Sequence, residues 1–401
     1  MTRRETLDPG SGTTEAVPVD AGTLAAIGRT AGLCAVGICR AEPFSEVAAV
    51  LHERKQAGLH GGMQFTYRNP DRSTDPTRLL PGAAALIVGA LEFEASAGDP
   101  PGDGGPHARV AAYARADHYT ALRAALETMA EPLRAAGHRA VVSADENGLV
   151  DRAAAHRAAI GWWGKNSNIL VPGVGSLVVL GAVVTDAPIA PQDSDGAVAD
   201  GCGSCRQCID GCPTGAIIAE GTVDARRCLA WLVQADGVFD PDYRVALGDR
   251  IYGCDDCSDV CPPNRVRVRL TGRARNRPDP VAGVDQSPPS TGTGAWVPVL
   301  DMLDASDDAL MAGFGRWYIP RREPRYLRRN ALVVLANVGD RSDPRVRSAV
   351  DRALRDRDPL IRAHAVWCAR RLGLGLEALS GRDDPLVRAE MERTVRPRDA
   401  A

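Results

Sequence analysis

Eight cysteines between Cys202 and Cys261 carry the clearest chemistry in this chain. The first run is Cys202-x2-Cys205-x2-Cys208-x3-Cys212-Pro213 and the second is Cys254-x2-Cys257-x3-Cys261-Pro262, with Cys228 alone between them. Thiolates at the first spacing hold iron–sulfur clusters: in bacterial two-cluster ferredoxins three close thiolates grip one [4Fe–4S] cluster and the fourth, followed by proline, reaches across to the other. The second run lacks one cysteine of that pattern, and Cys228 is the natural candidate to supply it. Cross-ligation then gives Cys202, Cys205, Cys208 and Cys261 to one cluster and Cys212, Cys228, Cys254 and Cys257 to the other. The alternative is a pair of zinc sites, since thiolates also suit tetrahedral zinc. Zinc sites pair two C-x2-C knuckles, however, whereas a four-cysteine run ending in Cys-Pro is typical of [4Fe–4S]. Cys34, Cys39 and Cys368 lie in apolar patterns and are expected in cores.

The elements that must position these thiols can be read from periodicity. A chain of 401 residues with 44% apolar composition is too long for one ordinary domain and apolar enough to build real cores. Residues 1–20, rich in Gly, Thr, Pro and acids, read as a tail. Over 21–195 helical and strand patterns alternate: helices around 21–32, 44–57, 118–136 and 152–159, and strands around 35–38, 84–91, 109–113, 140–143, 168–171 and 176–184. Acidic, small residues at 192–201 lead into the cysteine region, 196–271. A Pro/Gly/Ser/Thr-rich linker follows at 272–294. Only helices are evident in 295–376, with amphipathic segments 326–338, 344–356 and 359–372 separated by Gly-Asp or Asp-Pro breaks, the layout of HEAT-type helix pairs. Residues 377–401 read as a C-terminal tail. The expected fold class is therefore α+β: a mixed α/β domain, a bacterial two-cluster ferredoxin-like domain and C-terminal HEAT-like helical repeats.

The formal net charge of −3 gives no overall basic coat, and arginine is abundant while lysine occurs only at Lys55 and Lys165. Arg3-Arg4 is not followed by the apolar stretch of an export signal, and no later segment is long and apolar enough to span a bilayer. A reducing cytoplasmic compartment, no membrane association and a monomer are expected. Arg316, Arg321, Arg322, Arg325, Arg328 and Arg329 fall in one short stretch with Trp317 and Tyr318, a pattern that suits a phosphate backbone. Its alternative is the solvated face of helices in an arginine-rich protein.

A larger resemblance becomes visible around the clusters. Arg226-Arg227-Cys228-Leu229, Arg250-Ile251-Tyr252-Gly253-Cys254-Asp255-Asp256-Cys257 and Gly161-Trp162-Trp163-Gly164-Lys165-Asn166 look like the epoxyqueuosine reductase family. Further echoes are Asp75-Pro76 with Leu80-Pro81-Gly82, Gly175-Ser176 with Leu180-Gly181, and Arg328-Arg329-Asn330-Ala331-Leu332. The resemblance implies a cobalamin-dependent reductase, related to reductive dehalogenases, that removes the epoxide oxygen of epoxyqueuosine in the tRNA anticodon stem-loop. An external low-potential donor would feed the clusters, the first domain would bind cobalamin, and the arginines Arg321, Arg322, Arg325, Arg328 and Arg329 would meet tRNA. The family's proton donor lies in a segment Val-Asp-x-x-Pro-Val-Leu-Glu-Arg, which here reads Ala144-Asp145-Glu146-Asn147-Gly148-Leu149-Val150-Asp151-Arg152, so Asp145 takes the donor position. The bland reading of Asp145 is a cap on the following helix. The same resemblance implies cobalamin contacts at Tyr113, Asp145, Lys165, Ile169, Leu180 and Asp255. Lys165 could instead be a structural ion pair. A corrinoid reductase acting on a small molecule and a simple electron relay are the other functions these parts allow.

Overall fold

The computed structural model describes residues 19–191, 198–275 and 294–398. Residues 1–18, the centre of the expected 192–201 linker and residues 276–293 of the expected 272–294 linker lie outside them. A four-stranded antiparallel sheet organises the first part of the chain. Its order is Ala35–Arg40, Ala85–Glu92, Val178–Thr185, Ala140–Ala144. The two central strands, ALIVGALE and VVLGAVVT, are near-continuous apolar runs because both faces are covered. On one face Leu24, Leu122, Leu126, Met129 and Leu133, from helices Ala21–Thr30 and His118–Ala135, pack on Ile87 and Val183. On the other, Ala153, Ala154 and Ala155 of helix Asp151–Arg157 and Leu51 of helix Ser45–Gln56 pack with Leu86, Val88 and Val184.

A second sheet joins segments expected in three separate domains. His107–Val110 lies at its centre, with Arg250–Tyr252 parallel on one side and Trp296–Pro298 antiparallel on the other. The core around it runs from Ala108 and Val110 through Leu229, Phe239 and Ile251 into the C-terminal helices. The cysteine region is thus clamped between the first and last parts of the chain. The strand expected over 109–113 ends at Val110, and residues 112–114 form a single tight turn that carries Tyr113.

The expected C-terminal helices form as Arg325–Val338, Pro344–Leu354 and Pro359–Leu372. A fourth, Pro385–Glu392, corrects the reading of 377–401 as a tail. Asp343, Asp358 and Asp384 each precede a proline and accept the second backbone N–H of their helix at 2.8, 2.8 and 2.9 Å, an N-cap followed by Pro at the first helical position. The fourth helix is anchored by Glu390, which is buried and makes a bidentate pair with fully buried Arg244 at 2.8 and 3.1 Å. Among the described residues no helix is long and apolar enough to cross a membrane.

Candidate active site

Burial raises most of the clustered thiols, and the charges of neighbouring thiols add to it. Cys208 is pushed above the usual thiol range by burial and then by Cys202 and Cys205, and Cys261 is pushed to about 11 by burial and then by Cys208, Cys202 and Cys205. Cys228 is raised by burial and then Cys212, while Cys254 is raised by burial with Cys228 and Asp256 adding to it. Cys257 is pushed up to about 12 by burial, then by Cys228 and Cys212, with Cys208 a weaker neighbour. These couplings run mostly within the two expected groups, with Cys257 and Cys208 coupled across them. Repulsion between ionised thiolates is offset when iron binds them, so a cluster of thiols of this kind fits iron–sulfur ligation. Cys212 alone is held low: burial raises it, but the N–H groups of Thr214, Ala216 and Ile217 and the Thr214 hydroxyl outweigh that effect, with Ala216 N donating to Sγ at 3.2 Å. Cys39 and Cys368 are buried in cores and Cys34 is half-buried against one, as expected of non-ligands.

The segment leading into Cys254 packs against the turn that carries Tyr113. Gly253 has φ +74, and a Cβ there would stand 2.4 Å from the Ala111 Cβ, so only glycine lets the Tyr252-Cys254 segment lie on the Tyr113 turn. Asp255 Oδ2 accepts the Ala112 N–H at 2.7 Å and fixes that turn. Tyr113 is raised by burial and then by the neighbouring Tyr252, Asp255, Tyr119 and Cys228. Tyr252 stacks on Trp317 at 4.5 Å and accepts the Tyr318 N–H at 2.8 Å.

The strand Ala140–Ala144 ends at Asp145, whose φ of +52 is a left-handed conformation unusual for a residue with a side chain. Arg123 holds that strand end by donating to the Ala144 carbonyl and pairing with Glu146 at 3.1 Å. Gly148, where the family segment has proline, packs where a Cβ would meet Leu79 at 2.6 Å. Asp145 remains exposed, yet the protein around it is enough to raise its pKa, opposed by Arg123 and reinforced by Glu146. The side chain does not cap the helix that follows, whose N-cap position is Val150. Asp145 is also the first charge to act on Asp151 and Tyr119, both raised chiefly by burial. Asp151 has a solvent-shielded Oδ1 with no hydrogen-bond partner. Arg152 donates to Ser167 O at 3.2 Å and its charge reaches both Asp151 and Cys228.

Of the remaining expected contacts, Ile169 is buried opposite Trp163 in a two-stranded pair. Leu180 pairs with Ala90 on one side; on the other, Val178–Leu180 run beyond the end of strand Ala140–Ala144, which pairs only from Gly181 onward. Their main chain is open beside Asp145. Lys165 is engaged elsewhere, donating to Gly203 O at 2.7 Å and pairing with Glu220 at 2.7 Å, which favours its structural alternative. Tyr119 and Tyr252 lie in the field of Asp145, and Tyr113 tilts against Tyr252 at 6.4 Å, an aromatic surrounding that fits a large, partly apolar cofactor such as a corrin.

The arginines divide. Arg329 is fully buried and donates to the carbonyls of Leu232, Val233, Ala235 and Gly237, so the expectation that it meets nucleic acid is corrected: it braces the segment after Cys228. Arg322, Arg325 and Arg328 line a cleft of about 810 Å³ together with Arg355, Arg357 and four acids. Arg321 is exposed and pairs with Asp236 and Glu323. Sequence reasoning missed Asp151, Arg152 and Tyr252 as neighbours of Asp145, although all three lie inside motifs it had singled out.

Eight half-buried thiols in one region and a carboxyl raised above its ordinary range are the parts that a double-cluster iron–sulfur oxidoreductase requires. Residues 201–264 match the family described as 4Fe-4S double cluster binding domain. Over 356 residues the chain is 32% identical to the epoxyqueuosine reductase of Bacillus cereus, covering 87% of this chain and 88% of that one. The Xanthomonas campestris epoxyqueuosine reductase is 33% identical over 372 residues, 89% and 98% of the two chains. A crystal structure of epoxyqueuosine reductase with an epoxyqueuosine-modified tRNA-Tyr stem loop superposes with a TM-score of 0.78 at 27% identity, covering 92% of this chain and 96% of that one. The chain belongs to the epoxyqueuosine reductase family, and it is an oxidoreductase with two [4Fe–4S] clusters.

Proposed function

We propose that this protein reduces epoxyqueuosine to queuosine in the anticodon stem-loop of tRNA, with cobalamin beside Asp145 and electrons drawn through the two clusters from an external low-potential donor. The reading is carried by Asp145, an exposed carboxyl raised above its ordinary range with Tyr119 and Tyr252 in its field, and by Tyr113, packed on the Gly253 turn that leads into Cys254. Converting an epoxide to an alkene and water consumes two electrons and two protons, and bound cobalamin supplies a strongly reduced cobalt as the source of the electron pair.

The chain's own residues do the rest. Asp145 delivers a proton to the departing epoxide oxygen, and its raised pKa keeps the acid form present above the ordinary carboxylate range. Arg123 fixes the strained strand end that presents it. Tyr113 and Asp255 wall the cofactor on the cluster side, and the open main chain near Leu180, with Ile169 behind, takes its rim. Support for Asp145 also comes from a Bacillus subtilis epoxyqueuosine reductase structure described with the loop of its catalytic aspartate swung out of the active site, at a TM-score of 0.77.

Electrons enter at the quartet Cys202, Cys205, Cys208 and Cys261, where Gly203 and Ser204 are exposed. The stem-loop phosphates lie along Arg321, Arg322, Arg325 and Arg328, exchanging present ion pairs for phosphate. The cysteine region acts as a ferredoxin-like unit, the C-terminal helices as HEAT-like repeats, and the protein works as a cytoplasmic monomer where tRNA is found. Anaerobic, cluster-loaded protein should retain cobalamin through gel filtration and convert an epoxyqueuosine stem-loop to queuosine on nucleoside analysis. Absence of retained cobalamin, or retention with unchanged nucleoside, overturns the reading.

A further inference from the structure

We propose that the indole N–H of Trp162 is a hydrogen-bond donor to the sulfur shell of the outer cluster, held by Cys202, Cys205, Cys208 and Cys261, and that it raises that cluster's reduction potential. The proposal rests on the two-cluster assignment and is independent of cobalamin and tRNA. Trp162 Nε1 is shielded from solvent and has no hydrogen-bond acceptor among the described residues. Indole is a donor only, and a buried donor with nothing to donate to is uncommon and costly.

The position of that donor is set by its neighbours. Pairing of Trp162 with Leu170 and of Trp163 with Ile169 sends the two rings to opposite faces of their short ribbon. A Cβ added to Gly201 would stand 2.6 Å from Trp162 Cζ2 and 2.9 Å from Cε2, the ring atom bonded to Nε1. The six-membered ring of the indole, through the atom bonded to Nε1 and the two ring atoms after it, therefore lies against the residue that precedes Cys202, and glycine is what lets it approach. Two residues beyond Trp163, Lys165 closes the same loop onto the cysteines: its ammonium donates to Gly203 O at 2.7 Å, pairs with Glu220, and lies within reach of the Cys202 charge. The Cys202 amide is already given to Asp200 at 2.8 Å, which leaves the indole as a further donor on this side of the loop.

The acceptor that Nε1 lacks is thiolate or sulfide sulfur. Hydrogen bonds to cluster sulfurs favour the more negative, reduced state, so losing one lowers the potential. Trp162→Phe keeps an aromatic ring against Gly201 and removes the N–H. In EPR-monitored redox titrations without cobalamin or tRNA, one of the two one-electron steps should move to more negative potential by about tenfold in its equilibrium constant, or about 59 mV, while the other stays in place. In protein with isotopically labelled indole nitrogen, the reduced outer cluster should show nitrogen hyperfine coupling in the wild type and in Trp163→Phe. Superimposable titrations, or no coupling in the wild type, overturn the proposal. Should Trp162→Phe load its clusters poorly, the wild-type coupling decides alone.

Discussion

Gly253 joins Tyr252, which stacks on Trp317, to Cys254 of the inner quartet, and a single methyl group there should be badly tolerated. Its φ of +74 costs an L-residue about 1–2 kcal/mol. The new Cβ would lie 2.4 Å from Ala111 Cβ and 2.9 Å from Tyr113 Cε1, an overlap of the kind that costs about 1–3 kcal/mol where the surroundings resist. They do resist: Ala111 N donates to Tyr252 O at 2.9 Å and Ala112 N to Asp255 at 2.7 Å, so the two segments are pinned face to face. Gly253→Ala should therefore lose about 2–5 kcal/mol of stability. Ala111→Gly in the same chain relieves the overlap with Ala111 but not the backbone strain, so a double-mutant cycle should show a favourable coupling of about 1 kcal/mol or more. The assay is unfolding of cluster-loaded protein by denaturant, with EPR of the inner cluster read in parallel. A Gly253→Ala protein with wild-type midpoint and wild-type inner-cluster signal would refute the reasoning, as would strict additivity in the cycle.

Asp145→Asn should keep both clusters and cobalamin and slow turnover by about 10²–10⁴-fold, while wild-type turnover should fall as pH rises through the elevated Asp145 pKa, because the acid form is the competent one. Turnover of the wild type rising steadily with pH contradicts this. Cys228→Ser should halve the iron content by loss of the inner cluster alone, measured by iron assay and EPR; loss of the outer cluster instead would reverse the ligand assignment. Glu390→Ala strands the buried Arg244 charge and should cost about 3–5 kcal/mol in denaturant unfolding; a change below about 1 kcal/mol would show that the last helix does not anchor the fold. Arg322→Gln and Arg325→Gln should each weaken stem-loop binding and reduce its salt dependence by about one ion, measured by filter binding across salt concentrations; unchanged salt slopes would remove these residues from the interface.

The parts of this protein that were legible in its sequence are those written locally. Cluster binding is a matter of short spacings, so the double-cluster region was legible before any contact was known, and it coincides with the matched 201–264 domain. The central sheet announced itself through the apolar runs at 85–92 and 178–185, and Asp145 through the segment around it. Features made by long-range contact were not legible. The strand His107–Val110 and its two neighbours of three residues each are too short to carry a period, so the sheet joining three segments stayed invisible. Arg329 looks like Arg325 and Arg328 by type, and only its place with Asn330 on the buried stripe running from Tyr326 to Val333 marks it as an internal brace. The last helix did carry a signal, since Asp384-Pro385 repeats the start of the two helices before it. Tyr119, Arg152 and Asp151 meet Asp145 only because the strand end, helix Asp151–Arg157 and the start of helix His118–Ala135 converge.

The central claim is that electrons pass through both clusters to a substrate protonated by Asp145. Its most direct test is an anaerobic single turnover, in which pre-reduced, cobalamin-loaded protein is mixed with an epoxyqueuosine stem-loop and followed by EPR and nucleoside analysis. The account predicts cluster reoxidation in step with queuosine formation in the wild type, and clusters that stay reduced with little product in Asp145→Asn. Queuosine formed at the wild-type rate by Asp145→Asn, or formed by the wild type without cluster reoxidation, would contradict it.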